Sequence, residues 1–304
     1  MFINKADKIR RMIFKTNKLI GLLVIAATLT ACSSDDETGV KQSANNANAN
    51  NVSVKTEYGR MEFPRLKGNG NRVLIHYSDD GQLNYAVEWN EAKKSQRWSC
   101  YQLYKKNMEE NTIRYTSKTN QYPRDPLLPT SLWFASDPFW GSGYDHGHIC
   151  PSADRLYSAN ANYQTFFVTN MQPQLNDFNA GVWANMEKAV RNIAGRNNYK
   201  FCDTLYICKG GTIDRSEDYT TIRQNLLVPK YFFMAIMRVK DGQYNAMGFW
   251  VSHEKNKDTK LAKYAVTIKE LEEKTGIDFF CNLPDNREQV IESAAVNANF
   301  WGLK

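Results

Sequence analysis

The 304-residue sequence predicts an α+β fold, with a mixed or antiparallel sheet core flanked by helices. Three observations lead there. Short runs rich in β-branched and aromatic residues are more numerous than amphipathic helical stretches. The two clearest helical patterns fall at 179–195 and 267–276. Strand and helix signals do not alternate regularly, which disfavours a doubly wound parallel sheet.

The chain opens with Lys5, Lys8, Arg10, Arg11, Lys15 and Lys18 against the single acid Asp7, followed by the apolar run "LIGLLVIAATLTA" at 19–31. A basic start, a short apolar stretch and small residues before a break describe an export signal. Leu29-Thr30-Ala31-Cys32 resembles a bacterial lipobox, in which Cys32 is lipidated and anchors the protein to a membrane without a transmembrane helix. The expected signal is 1–31. The segment 32–56 is then an anchored, disordered linker, because "SSDDETGVKQSANNANANNVSVKTE" has little apolar content to offset ordering entropy. "SSDDE" resembles the acidic tag of some surface-exposed outer-membrane lipoproteins. The expected location is therefore the bacterial cell envelope, lipid-anchored, at the outer membrane and its surface.

The expected catalytic domain is 57–304. "NRVLIHYSDDGQLNYAVEWN" reads as two strands around the turn Asp79-Asp80-Gly81, and "QRWSCYQLYKKN" as another. A proline-containing loop, "NQYPRDPLLPTSLW", leads to "GYDHGHICPSADR", which holds two of the four histidines. "TFFVTN" (165–170) is a strand candidate. In "NAGVWANMEKAVRNIAG" (179–195), Val182, Met186, Ala189, Val190 and Ile193 recur at helical spacing, and Gly195 stands where a stop belongs. "TLYICKGGTI", "KYFFMAIMRV" and "YNAMGFWVSH" read as strands, and "TIKELEEKTG" as a late helix opening at Thr267.

The net charge of +7 comes mostly from the leader. Without residues 1–32 there remain 33 bases against 31 acids, a net +2, so attraction to an anionic partner must come from local placement. Five cysteines follow Cys32, with no CxxC spacing, which argues against structural zinc. Cys202 and Cys208 fit either a disulfide or two buried strand positions.

A loop or strand carrying Asp145-His146-Gly147-His148, then a strand, then a helix opening near Asn179 forms a strand–strand–helix unit. Here the sequence resembles the DNA/RNA non-specific endonuclease family, whose site is a ββα-metal (His-Me finger) motif. The family pattern is D-R-G-H, then N-x-x-x-Q-x-x-x-x-N-x-x-x-W with a Glu one turn on. Asp145, Gly147, His148, Asn170, Gln174, Asn179, Trp183 and Glu187 fall in register, and the resemblance covers most of 70–284. It implies a metal-dependent nuclease that cuts both DNA and RNA and leaves a 5′-phosphate. His148 is then the general base and Asn179 the protein ligand of one Mg²⁺, with Mn²⁺ as a substitute. Glu187 holds a metal-bound water, Asn170 joins His148 and Glu187 as a catalytic residue that fixes loop and substrate geometry, Gln174 supports it, and Asp145 orients its loop or a neighbour.

The chemistry agrees with these residue types. A neutral imidazole accepts a proton near pH 7, and a carboxamide oxygen suits an ion that keeps most of its waters. Glu187 lies roughly 12 Å along an ideal helix from Asn179 and about 80° around it, so it must lean back toward the helix start. The bland alternative pairs it with Arg191.

One position departs from the pattern: His146 replaces the family's Arg, which offers a permanent charge and a planar fork for phosphate. If His146 must be charged while His148 is neutral, a narrowed, acid-shifted pH optimum follows. Arg124 (in the order Pro-Arg-Asp) and Arg155 are the candidate compensating phosphate ligands. Two other readings remain: a catalytically impaired nucleic-acid-binding lipoprotein, and a transition-metal site built on His146 and His148.

Overall fold

The computed structural model describes residues 45–304. The expected export signal and Cys32 lie outside the described residues. In chain order the strands are β1 (Asn71–Tyr77), β2 (Leu83–Asn90), β3 (Ser95–Leu103), β4 (Asp145–His148), β5 (Met171–Gln174), β6 (Thr204–Gly211), β7 (Tyr219–Thr221), β8 (Leu227–Pro229), β9 (Tyr231–Lys240), β10 (Gln243–Ser252) and β11 (Ala265–Val266). The helices are α1 (Ala159–Gln164), α2 (Ala184–Tyr199), α3 (Ile268–Thr275), α4 (Asp285–Glu292) and α5 (Ala298–Trp301).

Seven strands form one sheet in the order β1-β2-β3-β6-β9-β10-β11, every neighbour antiparallel. Both faces are covered, which explains the unbroken burial of β9 from Phe232 to Arg238. On one face Tyr101, Ile207, Met234 and Ile236 pack with Met186, Val190 and Ile193 of α2. On the other, Trp98, Cys100, Phe233 and Ala235 pack with Ile268 and Leu271 of α3. Each such large apolar side chain contributes about 1.5–3 kcal/mol by leaving water. The expected α+β class is the observed one.

Details differ from the sequence reading. In "TFFVTN" Val168–Asn170 is a 3₁₀ turn, and the strand that pairs with the histidine segment is the next four residues, β5. Phe166 and Phe167 are buried as core plugs, so their β propensity was spent on packing. Cys202 and Cys208 are buried free thiols, which resolves the open choice against a disulfide. The α3 helix starts as its sequence directs, with Thr267 and Glu270 forming a reciprocal capping box and Gly276 closing it in the left-handed conformation.

The linker expectation needs a correction between residues 45 and 56. Asn50 is buried and its carboxamide donates to the carbonyls of Pro64 (3.0 Å) and Tyr58 (3.2 Å) while accepting from Leu66 N. Asn48 donates to Asp278 and Glu288 at 3.1 and 3.0 Å. Amides ordered by near partners at Asn50 and by partners more than 200 residues away at Asn48 compensate for the lack of apolar side chains, and composition alone does not reveal such partners.

Candidate active site

The ribbon of β4 and β5 pairs Asp145 with Gln174 and His148 with Met171. Gly147 is required there because a Cβ would lie 2.3–2.5 Å from the Gln174 side chain. Alternation along β4 places His146 and His148 on the same face, and both line a cleft of about 760 Å³. The Trp183 indole donates to the His148 carbonyl at 3.2 Å, tying β4 to the helical arm of the unit.

His148 presents its ring edge-on to Phe166, with centroids 4.8 Å apart. Its Nε2 is buried without a hydrogen-bond partner among the described residues. Burial, then the positive charges of Arg114 and His146, push its pKa down to about 3 against an opposing backbone hydrogen bond. The imidazole is therefore neutral near pH 7, with a nitrogen free to accept a proton.

Asn179 lies in a widened, π-type turn over Phe178–Trp183 that precedes α2. Gly181 breaks the helical dihedrals there (φ −105°, ψ −116°), and a Cβ would sit 2.1 Å from the Asn256 carbonyl. This kink removes the ideal-helix geometry that set Asn179 and Glu187 about 80° apart, and both residues line the cleft with His148. Asp145 accepts from the Asn179 amide at 3.0 Å and from the Asn176 amide at 3.0 Å. With its nitrogen so engaged, Asn179 turns its oxygen away from Asp145, and that oxygen accepts no hydrogen bond among the described residues.

Glu187 is held by a residue the sequence reading did not single out. The Lys209 ammonium, on β6, lies 2.9 Å from its Oε1 and 4.8 Å above the Trp183 ring. The side chains are 1% (Lys209) and 13% (Glu187) exposed. Burial raises the Glu187 pKa above its ordinary value, and the Lys209 charge opposes that rise. The bland pairing with Arg191 does not form, because Arg191 bonds Asp154 at 2.8 Å.

A DNA/RNA non-specific endonuclease model matches residues 68–286. The chain belongs to that family. It is 29% identical over 228 residues to "Nuclease" of Nostoc sp., covering 70% of this chain and 77% of the relative. It is 26% identical over 225 residues to "Nuclease C1" of Cunninghamella echinulata, covering 69% and 88%. A chain of the crystal structure of an EndoG/EndoGI complex superposes with a TM-score of 0.59 at 20% identity, covering 71% of this chain and 89% of that one. The likeness in structure bears on the fold, and the family match makes the protein a nuclease acting on DNA and RNA.

His146 departs from the pattern that the sequence resemblance implies, and its surroundings change the expectation drawn from it. The ring is stacked on Tyr122 (3.6 Å, 5°) and Phe139 (4.5 Å, 27°). Its Nε2 lies 2.9–3.0 Å from both Asp137 oxygens. Burial raises the Asp137 pKa, but the hydrogen bond and charge of His146 more than offset it, leaving the carboxylate favoured. His146 is thus bonded to a carboxylate while His148 is held neutral by burial, so the two histidines stand in different environments. The joint transition-metal reading loses its support as well. His146 Nε2 is already engaged, and the one cluster of three potential metal-ligating groups found among the described residues is Glu272, Asp278 and Glu292, none of them in this cleft.

Three further expectations are corrected. Arg155 does not reach the cleft. It is 1% exposed, donates to the carbonyls of Asn84, Asp154 and Gln102, and lies 4.5 Å over Tyr101. Asn170 is not a catalytic group, since its carboxamide is fully used. The oxygen accepts from Cys150 N and Ser99 Oγ, and the nitrogen donates to the Cys150 and Thr165 carbonyls. It braces the turn after His148. Arg124 lies over Trp133 and donates to the carbonyls of Phe134 and Ala135, beside a neighbouring cavity and outside the histidine cleft. Gln174 is buried against Gly147 with neither amide atom paired, and acts on the site through packing. The cleft's arginine is Arg114, 4.8 Å over Phe166. "NTIRYTS" carries no pattern that would have marked it.

Proposed function

We propose that this nuclease hydrolyses phosphodiester bonds with His148 as general base and a divalent metal ion, Mg²⁺ by the chemistry of its ligand, held by Asn179. The carrying observation is that His148, whose Nε2 has no partner among the described residues, and Asn179, whose amide nitrogen is taken by Asp145, line one cleft with Glu187. Bound there, the ion would offset charge on the leaving oxygen. His148 takes a proton at Nε2 from a water whose oxygen forms the new bond to phosphorus, and the bond to the 3′ oxygen breaks, leaving a 5′-phosphate. Asp145 fixes the Asn179 carboxamide with its oxygen outward. Glu187, whose charged form Lys209 favours against the burial that raises its pKa, orients water through its second oxygen. Arg114 supplies a permanent cation for the phosphate, and His146, sandwiched and bonded to Asp137, stands where the family's Arg would.

Cleavage of plasmid and RNA with Mg²⁺ or EDTA, beside His148→Ala and Asn179→Ala, tests this reading. Metal-dependent cutting that disappears in both variants supports it. Nucleic-acid retention by the wild type with no cutting would establish the impaired binder instead. We further propose that Cys32 carries a lipid holding the enzyme to the outer membrane of a bacterial envelope, facing nucleic acid outside the cell. The order of residues 1–36 supports this, and metabolic labelling with a fatty acid, lost in Cys32→Ser, tests it.

A further inference from the structure

Beside the histidine cleft lies a second cavity of about 520 Å³, within the range of about 300–1,000 Å³ usual for small-molecule sites. The two share Asn120, Tyr122 and Asp137 as a common wall. Tyr122 is fixed in that wall by its stack on His146. Five aromatic rings stand in the lining, those of Trp89, Tyr122, Trp133, Phe134 and Tyr163, together with the carboxylates of Asp125 and Asp137.

Trp89 is 1% exposed, yet its indole N–H has no acceptor among the described residues. Buried donors are normally paired, but this nitrogen is closed off from solvent and from the cavity alike, so Trp89 adds apolar wall and no polar contact. Trp133, by contrast, donates to the Leu128 carbonyl at 2.9 Å and offers only its ring. Two cations stand at these aromatics. Arg124 lies 4.7 Å over Trp133, and Lys94 lies 5.5 Å over Phe134 and donates to the Trp133 carbonyl. Neither has a carboxylate within ion-pair distance among the described residues.

We infer that this cavity is a nucleobase subsite, taking an unstacked base from a single strand next to the phosphate in the histidine cleft. The rings supply a stacking surface, and Arg124 and Lys94 meet the backbone phosphate. A duplex keeps its bases inside and must expose one to use the site, whereas a single strand stacks on aromatic side chains without that penalty. The subsite therefore favours single-stranded substrate. The inference rests on the nuclease reading of the neighbouring cleft, but its binding arm is independent of turnover.

The test uses the full chain carrying His148→Ala, in EDTA, with tryptophan fluorescence as readout. A tetrathymidylate should change the emission saturably, and the same sugar–phosphate chain without bases should bind about tenfold more weakly, the scale of one lost base stack. Equal binding of the two would show phosphate recognition alone and overturn the subsite. Trp133→Ala should weaken tetrathymidylate about tenfold while leaving the abasic chain unaffected. An abasic scan of a single-stranded oligonucleotide cut by the unmodified enzyme avoids any question of variant folding. One position flanking the scissile phosphate should raise KM about tenfold when its base is removed, and a flat profile would refute the proposal. An enzyme that binds the thymidylate but never cuts would sink the nuclease reading and leave the subsite standing.

Discussion

Replacing Lys209 by Met leaves Glu187 buried beside the Trp183 ring without its cation. Breaking a buried ion pair by removing one partner typically costs about 3–5 kcal/mol. Both side chains are largely screened from solvent, so little of that is lost to water. Glu187 can escape the penalty by holding a proton, and its pKa, already raised by burial, then rises further. The folded chain binds that proton more tightly than the unfolded chain does. Stability is thus retained below the ordinary carboxyl value of 4.5 and lost as pH climbs through the raised folded value. The variant should melt near the wild-type temperature at acidic pH. At mildly alkaline pH it should melt about 6–12 °C lower, taking about 3 kcal/mol and about 2–4 °C per kcal/mol for a chain of this size. The acid limb of its kcat/KM profile should move to higher pH, because an unpaired Glu187 stays protonated for longer. The double variant Lys209→Met/Glu187→Gln should recover most of the stability without the activity. A melting difference that is the same at every pH, with an unmoved acid limb, would refute the assignment of Lys209 as the group that ionises Glu187.

Other perturbations have equally definite outcomes. Asp145→Ala frees the Asn179 carboxamide to rotate and should weaken divalent-metal affinity by about 10–100-fold, the usual effect of losing a ligand's orienting partner, read by titrating Mn²⁺. His146→Arg exchanges an imidazole bonded to both Asp137 oxygens for a planar guanidinium fork and should lower KM for plasmid DNA with little change in kcat; an unchanged KM would remove position 146 from phosphate binding. Glu292 has its pKa raised to about 7, by burial first and then by Asp278. Its contribution to stability is therefore lost as pH rises through that value. Glu292→Gln should raise the melting temperature above neutral pH and leave it nearly unchanged near pH 5, as differential scanning fluorimetry would show.

Local signals in the sequence revealed most of the scaffold. The Asp79-Asp80-Gly81 hairpin, the apolar stripe of α2 and the Thr267 cap all depend on residues within one or two turns of each other. The spaced run from Asp145 to Glu187 also identified the cleft, because short-range spacing on a strand–strand–helix unit fixes which side chains can converge. What stayed hidden depends on long-range partners. Lys209 reaches Glu187 from a strand 22 residues downstream, and a lysine in an apolar strand gives no hint that it is buried against a carboxylate. Arg155 and Arg114 are indistinguishable as isolated arginines, yet one is enclosed by carbonyls and the other lines the cleft. The asparagines at 46–50 read as a solvated tether because Asn46, Asn48 and the Asn50 backbone find acceptors beyond residue 277, and the Asn50 carboxamide finds its own at Tyr58 and Pro64.

The central claim is that one carboxamide holds the metal while one imidazole moves the proton, and Mn²⁺ titration followed by electron paramagnetic resonance separates these roles. The account predicts tight Mn²⁺ binding in the wild type and in His148→Ala, its loss in Asn179→Ala, and no strand cleavage by either variant. Undiminished Mn²⁺ binding in Asn179→Ala, or cleavage that survives His148→Ala, would contradict it.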